Sequence, residues 1–283
     1  MDVATSAFKR SGAVKATADL MRVAALPRRV WSKEEAQAFA TKVTNLLKAP
    51  HGFMTLRPIQ AISLFELAEV GGLFGPQRVG AGKTLLSLLA PTVLQRVKNR
   101  GFRPLLMVPA SLLEKTERDR RLLAEHWAIS PFFNVRTYEW LGRVQAAGAL
   151  AELRPDLIIL DECHKVKNTK ASVTRRIRRY VHECSDIDNP GLIPIFAAFS
   201  GTVTKRSPMD FAHILRWCLR PDKQPIPLHF QDLMDWADAL EEKKESQSRV
   251  APGELRIFCN DEENKIWADG DPLRAARLVF RRR

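Results

Sequence analysis

The chain has 283 residues and carries 45 Lys and Arg side chains against 32 Asp and Glu, a formal net charge of +13. Its 45% hydrophobic and 27% charged residues are typical of a globular chain and exclude a disordered or fibrous one. No apolar run approaches the roughly 18–20 residues that a membrane-spanning helix needs. The four cysteines form no C-x-x-C pair, which argues against a zinc ribbon or a disulfide scaffold.

The first predicted element is a helical arm over residues 1–50. Within it, Ser32 followed by Glu35 forms a capping-box pattern and predicts a helix over 33–48. Short apolar strands then alternate with longer helical stretches. The predicted strands are 72–75, 104–108, 132–138, 156–160 and 194–199, and the predicted helices are 83–97, 112–126, 173–181 and 210–219. Strands that are apolar at nearly every position and alternate with helices predict an α/β fold, a parallel sheet flanked by helices.

The strand–helix alternation ends after Pro221. A linker-like stretch follows, then a polar helix predicted at 231–248 and a mixed segment to the end. We therefore divide the chain into an N-terminal helical arm (1–50), an α/β lobe (51–220) and an accessory or linker segment (221–283). The lobe holds 25 basic and 15 acidic side chains, so most of the positive charge lies there. A polyanionic partner is expected for this lobe.

A glycine-rich motif, G-A-G-K-T at 80–84, lies between the first predicted strand and the following helix. Glycines allow the backbone N–H groups to approach a phosphate, and the helix adds its positive N-terminal end. Lys83 would contact the outer phosphates, and the Thr84 hydroxyl would bind magnesium. Gln77 stands where the usual motif begins with glycine, and the alternative interpretation is a plain glycine-rich turn.

Two carboxylates, Asp161 and Glu162, follow the buried strand predicted at 156–160. Ligands of parallel sheets gather at the carboxyl ends of strands. Asp161 could hold magnesium and Glu162 could orient and deprotonate an attacking water. Alternatively, the pair only ends a strand before a turn.

Further segments complete a pattern: L-R-P-I-Q at 56–60, M-V-P-A-S-L-L at 107–113, R-T-Y-E at 136–139, D-E-C-H-K-V-K-N at 161–168 and F-S-G-T at 199–202. Together with G-A-G-K-T, they resemble the first RecA-like lobe of superfamily-two helicases and translocases. The pattern is most similar to the Swi/Snf-like branch and to helicases encoded by phages. The resemblance covers residues 51–220 and implies a P-loop NTPase lobe that uses ATP and Mg²⁺.

The resemblance also implies roles for individual residues. The nucleotide-binding set would be Arg57, Gln60, Gly80, Ala81, Gly82, Lys83 and Thr84; the catalytic set Lys83, Asp161 and Glu162; and the magnesium ligands Thr84 and Asp161. His164, Ser200 and Thr202 would couple nucleotide state to movement, and Pro109, Ser111 and Lys115 would contact a nucleic-acid backbone. Six of these residues also have an ordinary structural interpretation. Gln60 could be a polar helix residue and His164 a packed histidine. Ser200 and Thr202 could end a strand, and Ser111 and Lys115 could be a helix cap and a solvated charge.

Four arginines, Arg175, Arg176, Arg178 and Arg179, form a basic cluster on a predicted helix. They could contact phosphates or could simply form a solvated face.

Motors of this family have a second RecA-like lobe with a motif resembling Q-x-x-G-R-x-x-R, and nothing in 221–283 matches it. We therefore expect a truncated chain or one half of a split motor. The expected partners are nucleic acid, foremost double-stranded DNA, and a second lobe in cis or in trans, without a membrane. The expected location is the cytoplasm of a prokaryotic or phage-infected cell, at the nucleoid when working. The alternatives are a non-catalytic nucleotide- and DNA-binding module and an unrelated P-loop enzyme such as a small-molecule kinase.

Overall fold

The structure, a computed structural model, describes residues 12–185, 193–201, 207–241 and 250–282. Its strands are Leu73–Pro76 (β1), Pro104–Val108 (β2), Asn134–Thr137 (β3), Leu157–Asp161 (β4) and Ile195–Ser200 (β5). Its α-helices are Ala18–Ala24 (α1), Lys33–Leu47 (α2), Pro58–Val70 (α3), Lys83–Lys98 (α4), Leu113–Ala124 (α5), Tyr138–Gly142 (α6), Ala149–Leu153 (α7), Ser172–Cys184 (α8), Met209–Cys218 (α9), Phe230–Leu240 (α10), Asp261–Ala268 (α11) and Pro272–Arg282 (α12).

The five strands form one sheet in the order β1-β5-β4-β2-β3, and every neighbouring pair is parallel. All residues of β2 and β4 are buried, as expected for central strands that are covered on both faces. The predicted α/β fold is confirmed. The five predicted strands are found with their ends shifted by at most two residues.

The strand order brings three carboxyl ends side by side. Pro76 at the end of β1 pairs with Ser200 at the end of β5, and Asp161 at the end of β4 pairs with Phe199. The loop after β1 and the acidic turn after β4 are therefore separated only by the width of β5. This places the glycine-rich motif and the two carboxylates at one edge of the sheet.

The helix at Lys33–Leu47 begins with the predicted capping box. The Ser32 hydroxyl accepts from the Glu35 backbone N–H at 3.1 Å, and the Glu35 carboxylate accepts from the Ser32 N–H at 2.9 Å. Helix α3 was not predicted, because it is apolar on most faces and lacks a helical period. The helix predicted at 231–248 ends earlier, at Leu240, because Glu241 has an extended backbone.

The described residues fall into two compact units, with the division inside α9. The larger unit comprises 29–185, 193–201 and 213–220 and contains the whole sheet. Its core consists mainly of Leu, Ile, Val and Ala side chains from α3, α4 and the strands.

The smaller unit comprises 12–28, 207–212 and the described residues from 221 onward. Val14, Leu20 and Val23 share its core with Trp236 and Phe258. Two segments that lie at opposite ends of the chain, and that the sequence suggests are separate, thus pack on each other. In the described part of the chain, no helix combines the length and apolar character needed to cross a membrane.

Candidate nucleotide and nucleic-acid site

The loop that joins β1 to α4 carries the predicted phosphate loop at 80–84. Gly80 has φ of 79° and Gly82, the N-cap of α4, has φ of 89°, both in the left-handed region. A Cβ atom at Gly82 would lie 2.1 Å from the Gln60 Nε2 atom. The left-handed conformation therefore favours glycine at position 82, and a side chain there would also displace the Gln60 amide.

Helix α3 contacts this loop through Arg57 and Gln60. The Arg57 Nη2 atom donates to the Gly80 carbonyl at 2.8 Å, and the Gln60 Nε2 atom donates to the Ala81 carbonyl at 3.0 Å. The Gln60 Oε1 atom accepts from the Arg57 N–H at 2.9 Å. Arg57 and Gln60, the two residues outside the loop that the family resemblance assigns to the nucleotide, therefore contact the loop.

Asp161 ends β4 and is only 6% exposed. Burial raises the pKa of Asp161 to about 6; the neighbouring Glu162 charge acts in the same direction, and Lys83 opposes it. The Tyr138 hydroxyl donates to the Asp161 carbonyl oxygen at 2.7 Å, which anchors this strand end to α6. The carboxyl group is thus held in a dry site where a bound cation would favour its charged form.

Glu162 has φ of 54°, a left-handed conformation that is uncommon for a residue with a side chain. One of its oxygens lies 3.4 Å from Lys83 Nζ, and the other lies 3.2 Å from His164 Nδ1. The same His164 nitrogen lies 3.3 Å from the Ser200 hydroxyl. Lys83, Glu162, His164 and Ser200 therefore form one line of contacts across the ends of α4, β4 and β5.

The donor set suits magnesium held jointly with phosphate oxygens. Asp161 supplies a carboxylate, and Thr84 lies in the first turn of α4 next to Lys83. Among the residues that the structure describes, no group of three or more His, Cys, Asp or Glu side chains could hold a metal alone. Magnesium in nucleotide sites is commonly bound by one or two protein ligands, with phosphates and waters completing its shell.

The predicted nucleic-acid segment follows β2. Pro109 is buried, Ser111 is exposed in a 3₁₀ turn, and Lys115 is exposed in the first turn of α5. The Ala110 N–H donates to the Glu139 carboxylate at 3.0 Å, which fixes the turn. An open cavity of about 720 Å³ is lined by Ser111, Leu113, Glu114, Lys115, Glu117, Arg118 and Arg121.

The basic cluster on α8 is mostly engaged within the protein. Arg176 Nη1 donates to the Leu141 carbonyl and, at 2.5 Å, to the Arg143 carbonyl. Arg179 donates to the Ala147 carbonyl at 2.6 Å. These two guanidinium groups satisfy carbonyl oxygens around α6, which favours the structural interpretation for them.

Of the predicted site residues, Thr202 lies outside the described residues. The others form two groups: Arg57, Gln60, the loop at 80–84, Asp161, Glu162, His164 and Ser200 lie around the phosphate loop, and Pro109, Ser111 and Lys115 lie after β2. The contact of the Gln77 side chain with helix α3 has no sequence signal, because Gln77 stands out in the sequence only as a departure from the motif. Its neighbour in the structure, Ser63, has no sequence signal at all.

No family model matches the chain, and no curated protein matches it. The solved structures that are similar to it include the following two. The SWI2/SNF2 ATPase core of Sulfolobus solfataricus in complex with dsDNA is 18% identical, with 59% of this chain and 36% of that chain covered and a TM-score of 0.45. The UvsW helicase from bacteriophage T4 is 15% identical, with 62% of each chain covered and a TM-score of 0.38. The chain spans about a third of the first protein and less than two thirds of the second.

Proposed function

We propose that the chain is the ATP-binding lobe of a superfamily-two helicase or translocase, in which ATP hydrolysis is coupled to movement on nucleic acid. The observation that carries this proposal is the line of contacts from Lys83 through Glu162 and His164 to Ser200. It joins a phosphate-loop lysine to an acidic strand end and then to the neighbouring strand. A glycine-rich turn with no function would not need such a connection.

In this proposal the loop from Gly80 to Thr84 holds the phosphates and Lys83 neutralises the outer ones. Gln60 would recognise adenine. Its amide already makes one hydrogen bond from nitrogen and one to oxygen, so one further donor and one further acceptor position remain. The exocyclic amine and the adjacent ring nitrogen of adenine present the complementary pair.

Asp161 and Thr84 would hold magnesium, which supplies charge neutralisation at the phosphates. Glu162, whose carboxylate lies 3.4 Å from Lys83, would position water and accept its proton. Binding of the phosphates would draw Lys83 away from Glu162, because the phosphates and the Glu162 carboxylate are anions that compete for one ammonium group. The base would then be released as substrate binds.

His164 and Ser200 would transmit the state of Glu162 to β5 and onward to Thr202. When His164 Nδ1 carries a proton, it donates to the Glu162 carboxylate, with the Ser200 oxygen as a second acceptor nearby. A change at Glu162 on nucleotide binding would therefore alter the position of β5. This is the coupling that a motor requires.

Nucleic acid, foremost double-stranded DNA, would lie against the segment after β2. Lys115, Arg118 and Arg121 line the cavity there with Ser111, and phosphate contacts of this kind give sequence-independent, salt-dependent affinity. Glu114 and Glu117 on the same wall would limit the approach of the strand. The motor would work where DNA is present, in a prokaryotic or phage-infected cell, with a second RecA-like lobe in cis or in trans.

The second candidate is a non-catalytic module, or half of a split motor, that binds nucleotide and DNA without turnover. In this candidate the Lys83–Glu162 ion pair would persist when nucleotide binds, which would keep Glu162 from acting as a base. The two candidates are separated by steady-state ATP hydrolysis with and without duplex DNA. DNA-stimulated hydrolysis by this chain, lost in Glu162→Gln, supports the motor; binding of ATP and DNA with no turnover supports the module.

A further inference from the structure

One face of α3 follows the phosphate loop along its length. Arg57, Gln60 and Ser63 recur every three residues, so they lie on the same side of the helix. Arg57 and Gln60 contact the carbonyls of Gly80 and Ala81, at the end of the loop nearest α4. The third residue, Ser63, contacts the beginning of the loop at Gln77.

Gln77 has connections to three elements. Its side-chain Nε2 atom donates to the Ser63 hydroxyl of α3 at 2.8 Å. Its backbone N–H donates to the Ser200 carbonyl at the end of β5, at 3.1 Å, and its backbone carbonyl lies 3.5 Å from Lys83 Nζ. The residue therefore stands between the base-recognition helix, the phosphate-binding lysine and the strand that carries Ser200.

The side-chain link is poorly explained by folding stability alone. Gln77 is only 8% exposed, and in the part of the chain that the structure describes its Oε1 atom has no hydrogen-bond partner. An unpaired buried oxygen destabilises a fold, which offsets what the Nε2 hydrogen bond contributes. The Ser63 hydroxyl already donates its own hydrogen bond, to the Ile59 carbonyl at 2.8 Å, so it does not need Gln77 as an acceptor. An apolar side chain of similar size would lose the Nε2 hydrogen bond and would also remove the unpaired oxygen.

We propose that Gln77 is a positioning residue that sets the distance between α3 and the phosphate loop, so that the base and the phosphates of one nucleotide are bound together. The inference rests on the proposed function, since it assumes that Gln60 recognises the base and that Arg57 also belongs to the nucleotide site. The amide of Gln77 does not touch the nucleotide in this scheme. It fixes the helix from which Arg57 and Gln60 reach the loop.

The test compares magnesium–ATP with magnesium–tripolyphosphate, which has the phosphates and no base, by calorimetric titration. Gln77→Leu and Ser63→Ala should each weaken ATP binding about tenfold, and leave tripolyphosphate binding within about twofold. The double variant should be no weaker than either single variant, because all three remove the same link. Ser63→Thr keeps the hydroxyl and should bind ATP as the unmodified chain does.

Ser87→Ala is the matched control. Ser87 is a fully buried serine on α4 whose hydroxyl has no partner among the described residues, so this change removes a buried hydroxyl without cutting a link between elements. It should alter neither affinity. If Gln77→Leu fails to fold, the contrast between Ser63→Ala and Ser63→Thr decides the question.

Equal losses for ATP and tripolyphosphate, an additive double variant, or unchanged ATP binding in Gln77→Leu would overturn the positioning role. Failure of the proposed function looks different, because the unmodified chain would then bind neither ligand. In that case the inference falls with it.

Discussion

The Lys83 ammonium group lies 3.4 Å from a carboxylate oxygen of Glu162, although the two residues belong to different elements and are 79 positions apart. Both side chains are largely shielded from solvent. In the proposed function, this ion pair would keep Lys83 and Glu162 together until a competing anion binds.

Replacing Glu162 by Gln removes the base and the ion pair while keeping the size of the side chain. ATP binding should be retained or strengthened, because Lys83 loses its competing anion. Any turnover should fall by about 10²–10⁴, the usual contribution of a general base. Calorimetry and a phosphate-release assay on the same preparation measure the two effects, and loss of binding together with turnover would contradict the assigned role.

Glycines 80 and 82 offer a matched pair for the steric requirement of the loop. Alanine at either position must adopt a left-handed backbone, at a cost of about 1–2 kcal/mol. Only at position 82 would the new methyl group meet Gln60, whereas nothing lies within 4 Å of a Cβ at position 80. Denaturant unfolding should therefore show Gly82→Ala as clearly the less stable variant, and equal stabilities would show that the Gln60 contact is not tight.

Asp19 should stabilise the smaller unit in a pH-dependent way. Burial acts to raise its pKa, but hydrogen bonds from the His229 and Leu228 N–H groups, both at 2.7 Å, and from Arg22 outweigh this and hold the pKa below 3.8. The unfolded chain therefore binds the proton more readily than the folded chain. The stabilisation is present above the unfolded pKa and is lost as the pH falls through the folded value.

The free energy of unfolding by denaturant is measured for the unmodified chain and for Asp19→Asn between about pH 2.5 and 7, in steps of about half a pH unit. Near neutral pH the variant should be less stable by about 2 kcal/mol, the usual value for hydrogen bonds to a charged group. The difference should shrink below the usual range of an Asp pKa. A constant difference at all pH values would show that the charge of Asp19 contributes nothing.

Lys115→Ala and Arg176→Ala should affect different properties, although each removes one positive charge. Lys115 is exposed at the cavity after β2, so its loss should weaken duplex binding. The slope of the logarithm of the binding constant against the logarithm of salt concentration should fall by about one. Arg176 donates to the Leu141 and Arg143 carbonyls, so its loss should lower stability and leave DNA affinity nearly unchanged. Fluorescence anisotropy at several salt concentrations, with thermal unfolding, separates them; equal effects on DNA would place α8 at the nucleic acid.

The sheet could be predicted because β2 and β4 are short continuous apolar runs, which is what burial on both faces of a parallel strand requires. The sequence also predicts a phosphate loop and an acidic strand end from residue types with a specific chemistry, and the structure places the two motifs at the same edge of the sheet. The contact between the Gln77 amide and Ser63 could not be predicted, because a local pattern does not show which side chains meet across fourteen residues.

Other features depend on contacts between distant parts of the chain. Residues 12–28 share a core with residues beyond 221, and the periodicity of neither segment predicts that they pack together. The arginines of α8 form a run of charge in the sequence, yet which of them reach carbonyl oxygens depends on where α6 lies. Sequence patterns specify elements and motifs; these partners follow only from the packing.

The most direct test of the proposed ATP-binding lobe is calorimetric titration of magnesium–ATP into the unmodified chain and Lys83→Ala. The proposal predicts saturable binding by the unmodified chain and a loss of at least about tenfold in affinity when the ammonium group is removed. Undiminished affinity in Lys83→Ala would contradict it.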